Sequence, residues 1–198
     1  VLEVGTGTGS LTCMLAERAA AVVTVETDKK LTPIIEQVLE PWPNVTSLIR
    51  DALAGKHEVA PEVVAAIELQ LSRGEGRRLK LVANLPYSIA TPLVMNLLVG
   101  RLRPSLLVFT VQKEVGDRLA AKADDSAYGP AGIVARALAD VELLHDFSPN
   151  VFWPKPQIHS TLVRIRPQAD RYASVGDLQL FQRVTAGLFA HRRKTCQK

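Results

Sequence analysis

Residues 1–12 read VLEVGTGTGSLT, and this stretch decides the fold. Val1–Val4 is a short apolar strand. Gly5, Gly7 and Gly9 follow as a turn in which backbone can approach a ligand closely and present it to a helix N-terminus. A helix is expected from Ser10 to about Ala20, with Leu11, Met14, Leu15 and Arg18 at helical spacing. The dinucleotide fingerprint G-x-G-x-x-G is not met. Counted from Gly5 its last position is Ser10, and counted from Gly7 it is Thr12. The spacing is G-x-G-x-G, led by Glu3.

Outward from this turn, strands and helices alternate. Strands are expected at Ala21–Glu26, Val45–Arg50, Leu79–Ala83 and Leu106–Val111. Between them, Leu31–Leu39 suits a helix with Pro33 in its first turn, and Glu62–Leu71, Thr91–Leu98, Lys113–Ala121 and Gly132–Ala139 read as helices. Val141–Phe147 and Ser160–Arg166 read as two strands joined by the Pro-rich segment 149–156, with no helix between them. Leu178–Ala190 is an amphipathic helix. The expected architecture is α/β, a mostly parallel sheet covered on both faces, with antiparallel pairing at one edge.

The composition excludes several classes. The 198 residues are 47% hydrophobic and 22% charged, which rules out long disorder and collagen-like repeats. Cys13 and Cys196 lie far apart, so there is no disulfide framework and no metal motif, and a cytoplasmic, reducing compartment is expected. No apolar run is long enough to span a bilayer. The net charge of +4 is unevenly placed: residues 1–100 hold 9 basic and 11 acidic side chains, residues 101–198 hold 15 and 9. A basic half beside a near-neutral half points to a phosphate or nucleic-acid partner.

Two carboxylates extend the glycine turn. Glu26 ends the second strand, where a Rossmann-type site places an acid to accept hydrogen bonds from ribose hydroxyls. Asp51 follows the third strand; a plain helix cap before Ala52 is its alternative reading. A nucleoside-bearing cofactor is expected. G-x-G-x-G led by an acid resembles motif I of class I methyltransferases, which bind S-adenosyl-L-methionine. In that fold the acid at the Asp51 position hydrogen-bonds the adenine amino group.

Asn84-Leu85-Pro86-Tyr87 follows the fourth strand, at the carboxyl edge where open α/β sheets bind ligands. Its chemistry suits an exocyclic amine such as adenine N6, whose lone pair is delocalised into the ring. The Asn84 side-chain carbonyl and the Leu85 backbone carbonyl can accept the amine's N–H bonds and free that lone pair to attack a sulfonium methyl. Pro86 fixes the turn, and Tyr87 offers a ring for the base to stack on. Positioning and electrostatics then do most of the catalysis, without a strong base. The alternative is an Asn-x-Pro turn with a half-buried tyrosine.

Taken together the motifs resemble the ribosomal RNA adenine N6-dimethyltransferases (KsgA/RsmA type), a family that includes the Erm resistance methyltransferases. The resemblance runs from Val1 to Lys194. It rests on VLEVGTGTGSLT (1–12), VETD (25–28), RDAL (50–53), NLPYSIATPL (84–93), VQKEVGDRL (111–119), AYG (127–129), FWPKPQIHSTLVRI (152–165) and HRRKT (191–195). It implies a class I S-adenosylmethionine-dependent methyltransferase fold. Glu3, Gly5, Gly7, Gly9, Glu26, Asp51 and Asn84 would serve the cofactor. Asn84, Leu85, Pro86, Tyr87 and Phe152 would serve catalysis, with Tyr87 and Phe152 sandwiching a flipped adenine. The implied substrate is two adjacent adenosines near the 3′ end of small-subunit rRNA, in a 30S particle. The implied enzyme is a cytoplasmic monomer with no membrane association.

Two departures stand out. His159 occupies a position before Ser160 where the family often has an acid, and it reads as a neutral strand residue. The Gln-Asn-Phe-Leu type segment that opens the family is absent, as is most of its small C-terminal helical domain. Residues 1–168 are therefore read as a catalytic domain lacking its N-terminal segment, and 169–198 as the truncated start of a helical domain. Residues 155–198 carry 9 basic and 2 acidic side chains. Lys155, Arg164, Arg166, Arg192, Arg193 and Lys194 are candidate RNA contacts, with Lys113, Arg118 and Lys122 as a second patch. Arg164 and Arg166 alternate on one strand face and could simply be solvated. The rival functions are an Erm-type enzyme acting on large-subunit rRNA, which would confer macrolide resistance, and a non-catalytic rRNA-binding assembly or transcription factor, which would not bind cofactor.

Overall fold

In chain order the elements are β1 (Leu2–Val4), α1 (Ser10–Ala16), β2 (Val22–Glu26), α2 (Thr32–Leu39), β3 (Val45–Ile49), β4 (Leu53–Gly55), β5 (Glu58–Val59), α3 (Pro61–Ser72) and β6 (Lys80–Asn84). There follow α4 (Ala90–Val99), β7 (Leu106–Gln112), α5 (Lys113–Ala120), α6 (Pro130–Leu138), β8 (Ala139–Phe147), β9 (Ser160–Pro167), α7 (Ala169–Val175) and α8 (Leu178–Ala190). The structure, a computed structural model, describes residues 1–55 and 58–190.

Seven strands form one sheet in the order β3-β2-β1-β6-β7-β9-β8. The block from β3 to β7 is parallel. β1 and β2 are buried along almost their whole length, and their buried polar residues, Glu3 and Thr24, bond each other. β9 runs antiparallel to both neighbours, with Phe109 opposite Val163 on one side and Leu143 opposite Val163 on the other. The α/β architecture with antiparallel pairing at one edge is therefore as expected, and the antiparallel strand is β9, seated between β7 and β8.

The core is where the sheet meets its helices. Leu2, Leu81, Leu107, Phe109 and Ile165 from the strands are fully buried with Leu93, Leu97 and Leu98 of α4 and Leu138 of α6. The order in which strands are added reverses between β1 and β6, which makes the gap at their carboxyl ends the topological switch point. Gly5, Glu26, Asp51 and Asn84 all leave the sheet along that edge.

Four local details depart from the sequence reading. α1 stops at Ala16 rather than near Ala20, because the Asn44 amide donates to the carbonyls of Ala16 (2.9 Å) and Ala19 (3.0 Å) and so terminates the helix. The β4–β5 hairpin has strands of three and two residues, too short to leave a pattern. It also removes the helix that Asp51 was to cap in the alternative reading. α7 was not expected; it packs Tyr172 and Val175 against the core. α6 starts at Pro130 and ends at Leu138, one residue before β8 begins. Among the described residues no helix is long and apolar enough to cross a membrane.

Candidate active site

Each glycine of the turn sits at positive φ: Gly5 at 90°, Gly7 at 57° and Gly9 at 84°. Only Gly holds such backbone without strain. The Gly5 amide donates to the Val25 carbonyl at 2.8 Å and the Gly9 amide to the Thr6 carbonyl at 3.0 Å, so the loop is tied to β2 and to itself. A Cβ on Gly5 would lie 3.2 Å from both the Asn84 carbonyl oxygen and Pro86 Cδ. A Cβ on Gly7 would meet nothing within 4 Å. The loop thus presses against the Asn84–Tyr87 turn on one side and faces open space on the other.

Glu3 lies beneath this loop with 0% exposure. Its Oε2 accepts from the hydroxyls of Thr12 and Thr24, each at 2.6 Å, and Thr24 also shares a 2.7 Å bond with Thr6. Its Oε1 is buried without a hydrogen-bond partner among the described residues. Burial pushes the carboxyl above the ordinary glutamate range, while the two threonine hydroxyls pull it back. The carboxylate binds strand β1 to α1 and β2 and so fixes where the glycines emerge.

Glu26 closes the loop from β2. Its Oε2 accepts the Gly7 amide at 2.9 Å, and its Oε1 accepts the amides of Thr27 (2.8 Å) and Asp28 (3.0 Å). Oε1 is saturated, whereas Oε2 retains a lone pair for a ligand hydroxyl. Asp51 takes the Leu53 amide on Oδ1 at 2.9 Å and lines a cleft with Leu53, Ser88, Ile89 and Met95. A carboxylate at the mouth of an apolar cleft can accept an N–H from a planar ring lying in it. These acceptors and the open space over Gly7 fit an adenosine-bearing cofactor.

Asn84 is the last residue of β6 and is exposed. Its Oδ1 accepts from the hydroxyl of Thr110, its register partner on β7, and the Leu85 amide donates to the Thr110 carbonyl at 3.2 Å. The Ile89 amide donates to the Pro86 carbonyl at 3.2 Å, which completes the turn into α4. Tyr87 is half-buried, and its hydroxyl shares a 2.7 Å bond with the buried Ser160 of β9. Ser160 pairs in register with Phe147, whose ring meets Phe152 edge-on at 5.9 Å. Tyr87 and Phe152 are thereby gathered at one end of β9. Trp153 beside them is 93% exposed. Thr110 and Ser160 position two candidate residues and were not singled out from sequence; the only signal for them is strand register.

The proposed RNA contacts divide. Lys155 is exposed. The Lys113 ammonium is paired with Asp146 at 2.9 Å and Asp117 at 3.3 Å, and these carboxylates, Asp146 first, raise its pKa. Arg118 is paired with Glu114 one turn away. Arg164 and Arg166 both bind Glu142 on the neighbouring β8. Their alternation is therefore answered by a cross-strand carboxylate. His159 is exposed and gives its carbonyl to the Lys113 amide at 2.9 Å. Arg192, Arg193 and Lys194 lie outside the described residues.

A family model for ribosomal RNA adenine dimethylase matches residues 1–198. The ribosomal RNA small subunit methyltransferase A of Phenylobacterium zucineum is 39% identical over 194 residues, covering 98% of this chain and 63% of that protein. The protein of the same name from Bacillus mycoides is 39% identical over 195 residues, with 98% and 64% covered. The chain thus spans less than two thirds of the length of these relatives. A crystal structure of a dimethyladenosine transferase from Plasmodium falciparum superposes with a TM-score of 0.79 at 25% identity, over 98% of this chain and 64% of that one. The 23S rRNA methyltransferase ErmE shares the fold, with a TM-score of 0.65 at 22% identity over 90% of this chain and 68% of that one.

Proposed function

The chain belongs to the ribosomal RNA adenine dimethylase family, and from that premise we propose that it is the catalytic part of an S-adenosyl-L-methionine-dependent enzyme that dimethylates N6 of two adjacent adenosines near the 3′ end of small-subunit rRNA. Its substrate would be the 30S particle, and it would act in the cytoplasm as a monomer. Gly5, Gly7, Gly9, Glu26 and Asp51 would hold the cofactor, with Glu3 bracing the loop. The cofactor, when bound, supplies an electrophilic methyl group.

The residues of the chain do the rest. The Asn84 Oδ1 and the Leu85 carbonyl accept the target amine's N–H bonds, which draws the nitrogen out of conjugation with the ring. Thr110 holds Asn84 in place for this, and Pro86 fixes the direction of the Leu85 carbonyl. Tyr87, anchored through Ser160, and Phe152 take the two faces of the extruded base. Because the nitrogen becomes acidic once it carries the new methyl, no strong base is required, and catalysis rests on orientation and fixed dipoles.

The observation that supports this reading most is the abutment of the two motifs: a Cβ on Gly5 would stand 3.2 Å from the Asn84 carbonyl oxygen and from the Pro86 ring, so the cofactor loop and the amine-binding turn share one edge of the sheet. The test is incubation of the full-length protein with 30S particles from an unmethylated strain and methyl-labelled cofactor. Label is expected in two adjacent adenosines near the 3′ end of the small-subunit rRNA. A protein that binds cofactor yet leaves those adenosines unlabelled would sink the substrate assignment.

A further inference from the structure

The charge that the molecule shows at the opposite end of its sheet has no part in the site above. β6 begins at Lys80 and β7 at Leu106, and the Ser105 amide donates to the Leu79 carbonyl at 2.8 Å. The segments 77–80 and 101–105 therefore run side by side at the amino edge of the sheet. Two adjoining clefts open there; Leu71, Arg77, Arg78 and Leu79 line both. Lys80 extends the cationic lining on one side, Arg101 and Arg103 on the other, and Glu68 is the one carboxylate in either lining.

Three of these arginines are held in place. Arg77 donates to the Gln70 carbonyl at 2.8 Å, Arg101 forks onto Glu68, and the Arg103 guanidinium lies 5.1 Å from the centre of the Tyr172 ring. Arg78 and Lys80 are exposed. Arg101 is answered by Glu68, but Arg77 and Arg103 are oriented by neutral partners, and guanidinium groups so placed beside a cleft suit phosphate, which arginine binds in a bidentate fork. Leu71 and Leu79 also line both clefts, so an acidic protein partner is the rival occupant; the density of guanidinium groups against a single carboxylate favours a polyphosphate backbone.

We propose that this amino-edge patch is a second RNA-binding surface, contacting phosphates of an rRNA helix other than the one that supplies the target adenine. The proposal rests on the rRNA reading above. β6 alone separates the patch from Asn84 by about 13 Å, at 3.3 Å per residue. The two surfaces open at opposite ends of the sheet, so an RNA that engages both either runs around the molecule or offers two separate elements, and a folded ribosomal particle supplies the latter.

The test uses full-length protein carrying Arg78→Glu and Arg103→Glu, with Arg78→Glu and Lys80→Glu as a second pair should the first disturb folding. Binding to unmethylated 30S particles is measured across a salt series, beside cofactor affinity and methylation at saturating particle. The expected result is a fall in particle affinity of tenfold or more at low salt. The slope of log affinity against log salt should also become shallower by roughly 1.4–1.8, from about 0.7–0.9 for each lost phosphate contact. Cofactor affinity and saturated turnover should hold, and Arg78→Lys with Arg103→Lys should restore most of the binding. Unchanged particle affinity and slope would overturn the proposal and turn attention to an acidic protein partner. Failure of the unsubstituted protein to methylate the particle would instead strike the substrate reading, while the binding comparison would still decide the patch.

Discussion

At the scale of single residues, Gly5 and Gly7 share one backbone problem but have different surroundings, and this separates fold from binding. Alanine at either must adopt positive φ, at about 1–2 kcal/mol. At Gly5 the new methyl also crowds the Asn84 carbonyl and Pro86 at 3.2 Å, so Gly5→Ala should lower stability further and displace the amine-binding turn. At Gly7 the methyl enters open space. Gly7→Ala should unfold only a few degrees lower, yet lose cofactor affinity by a larger factor; calorimetric titration beside thermal melts checks this, and equal losses in both would remove the ligand from that space. Asn84→Ala should keep the fold and cost methylation about 10²–10³-fold, the usual size of one lost positioned dipole. The glycines were legible as a turn because positive φ there admits few other residues, and Glu26, Asp51 and the Asn84 turn stood out as candidates by their place at strand ends. Glu3 was legible only as a loop support; that it is fully buried on two threonines depends on residues 9 and 21 positions away.

That burial has a pH consequence. Since the folded Glu3 carboxyl titrates above its ordinary value of 4.5, the folded state keeps this proton after the unfolded chain has lost it. The stability it brings is therefore complete below the ordinary value and is lost as pH rises through the raised one. Glu3→Gln keeps an acceptor for Thr12 and Thr24 and abolishes the titration, so the gap in denaturant midpoint between mutant and wild type should widen in favour of the mutant over that window. A gap that stays constant with pH would show Glu3 titrating normally.

At the scale of elements, strand and helix alternation was readable from apolar periodicity. What escaped was set by tertiary partners: the end of α1 by Asn44, the small β4–β5 hairpin by its pairing, and α7 by packing on a core already formed. The link between β6, β7 and β9 escaped as well, and it is what aligns Asn84 with Thr110 and Tyr87 with Ser160. Ser160→Ala should leave the melting point nearly unchanged while weakening RNA methylation through a less constrained Tyr87, seen as a raised KM. The seating of α5 is tighter. A Cβ on Gly116 would come 2.2 Å from the Thr161 methyl of β9, so Gly116→Val should destabilise by about 1–3 kcal/mol or more as the helix lifts off the sheet. Denaturant unfolding with an unchanged m-value would measure it.

For the whole molecule, the uneven charge read from sequence is real but is not a simple division of labour. Several cations of the basic half are spent on partners, Lys113 on Asp146 and Arg164 on Glu142, while the near-neutral half gathers Arg77, Arg78 and Lys80 at one edge. Net charge over a hundred residues cannot reveal which cations are free, because pairing is decided by strand register and helix seating. The boundary expected at residue 168 is open to the same kind of test. α7 and α8 follow β9 directly, yet the Tyr172 hydroxyl donates to the Leu98 carbonyl at 2.9 Å, and Leu178 is buried with the residues of α4. A segment so tied should unfold with the sheet rather than separately. Cofactor bound across β1, β2 and β6 would then stabilise all of it. At a hundredfold excess over its dissociation constant the gain is about 2.7 kcal/mol, or roughly 5–11 °C for a chain of this size. Scanning calorimetry of the chain with and without S-adenosyl-L-methionine should show one transition that moves as a whole. Two transitions of which only the lower or the upper moves would mean that residues 169–190 fold as a unit apart from the site.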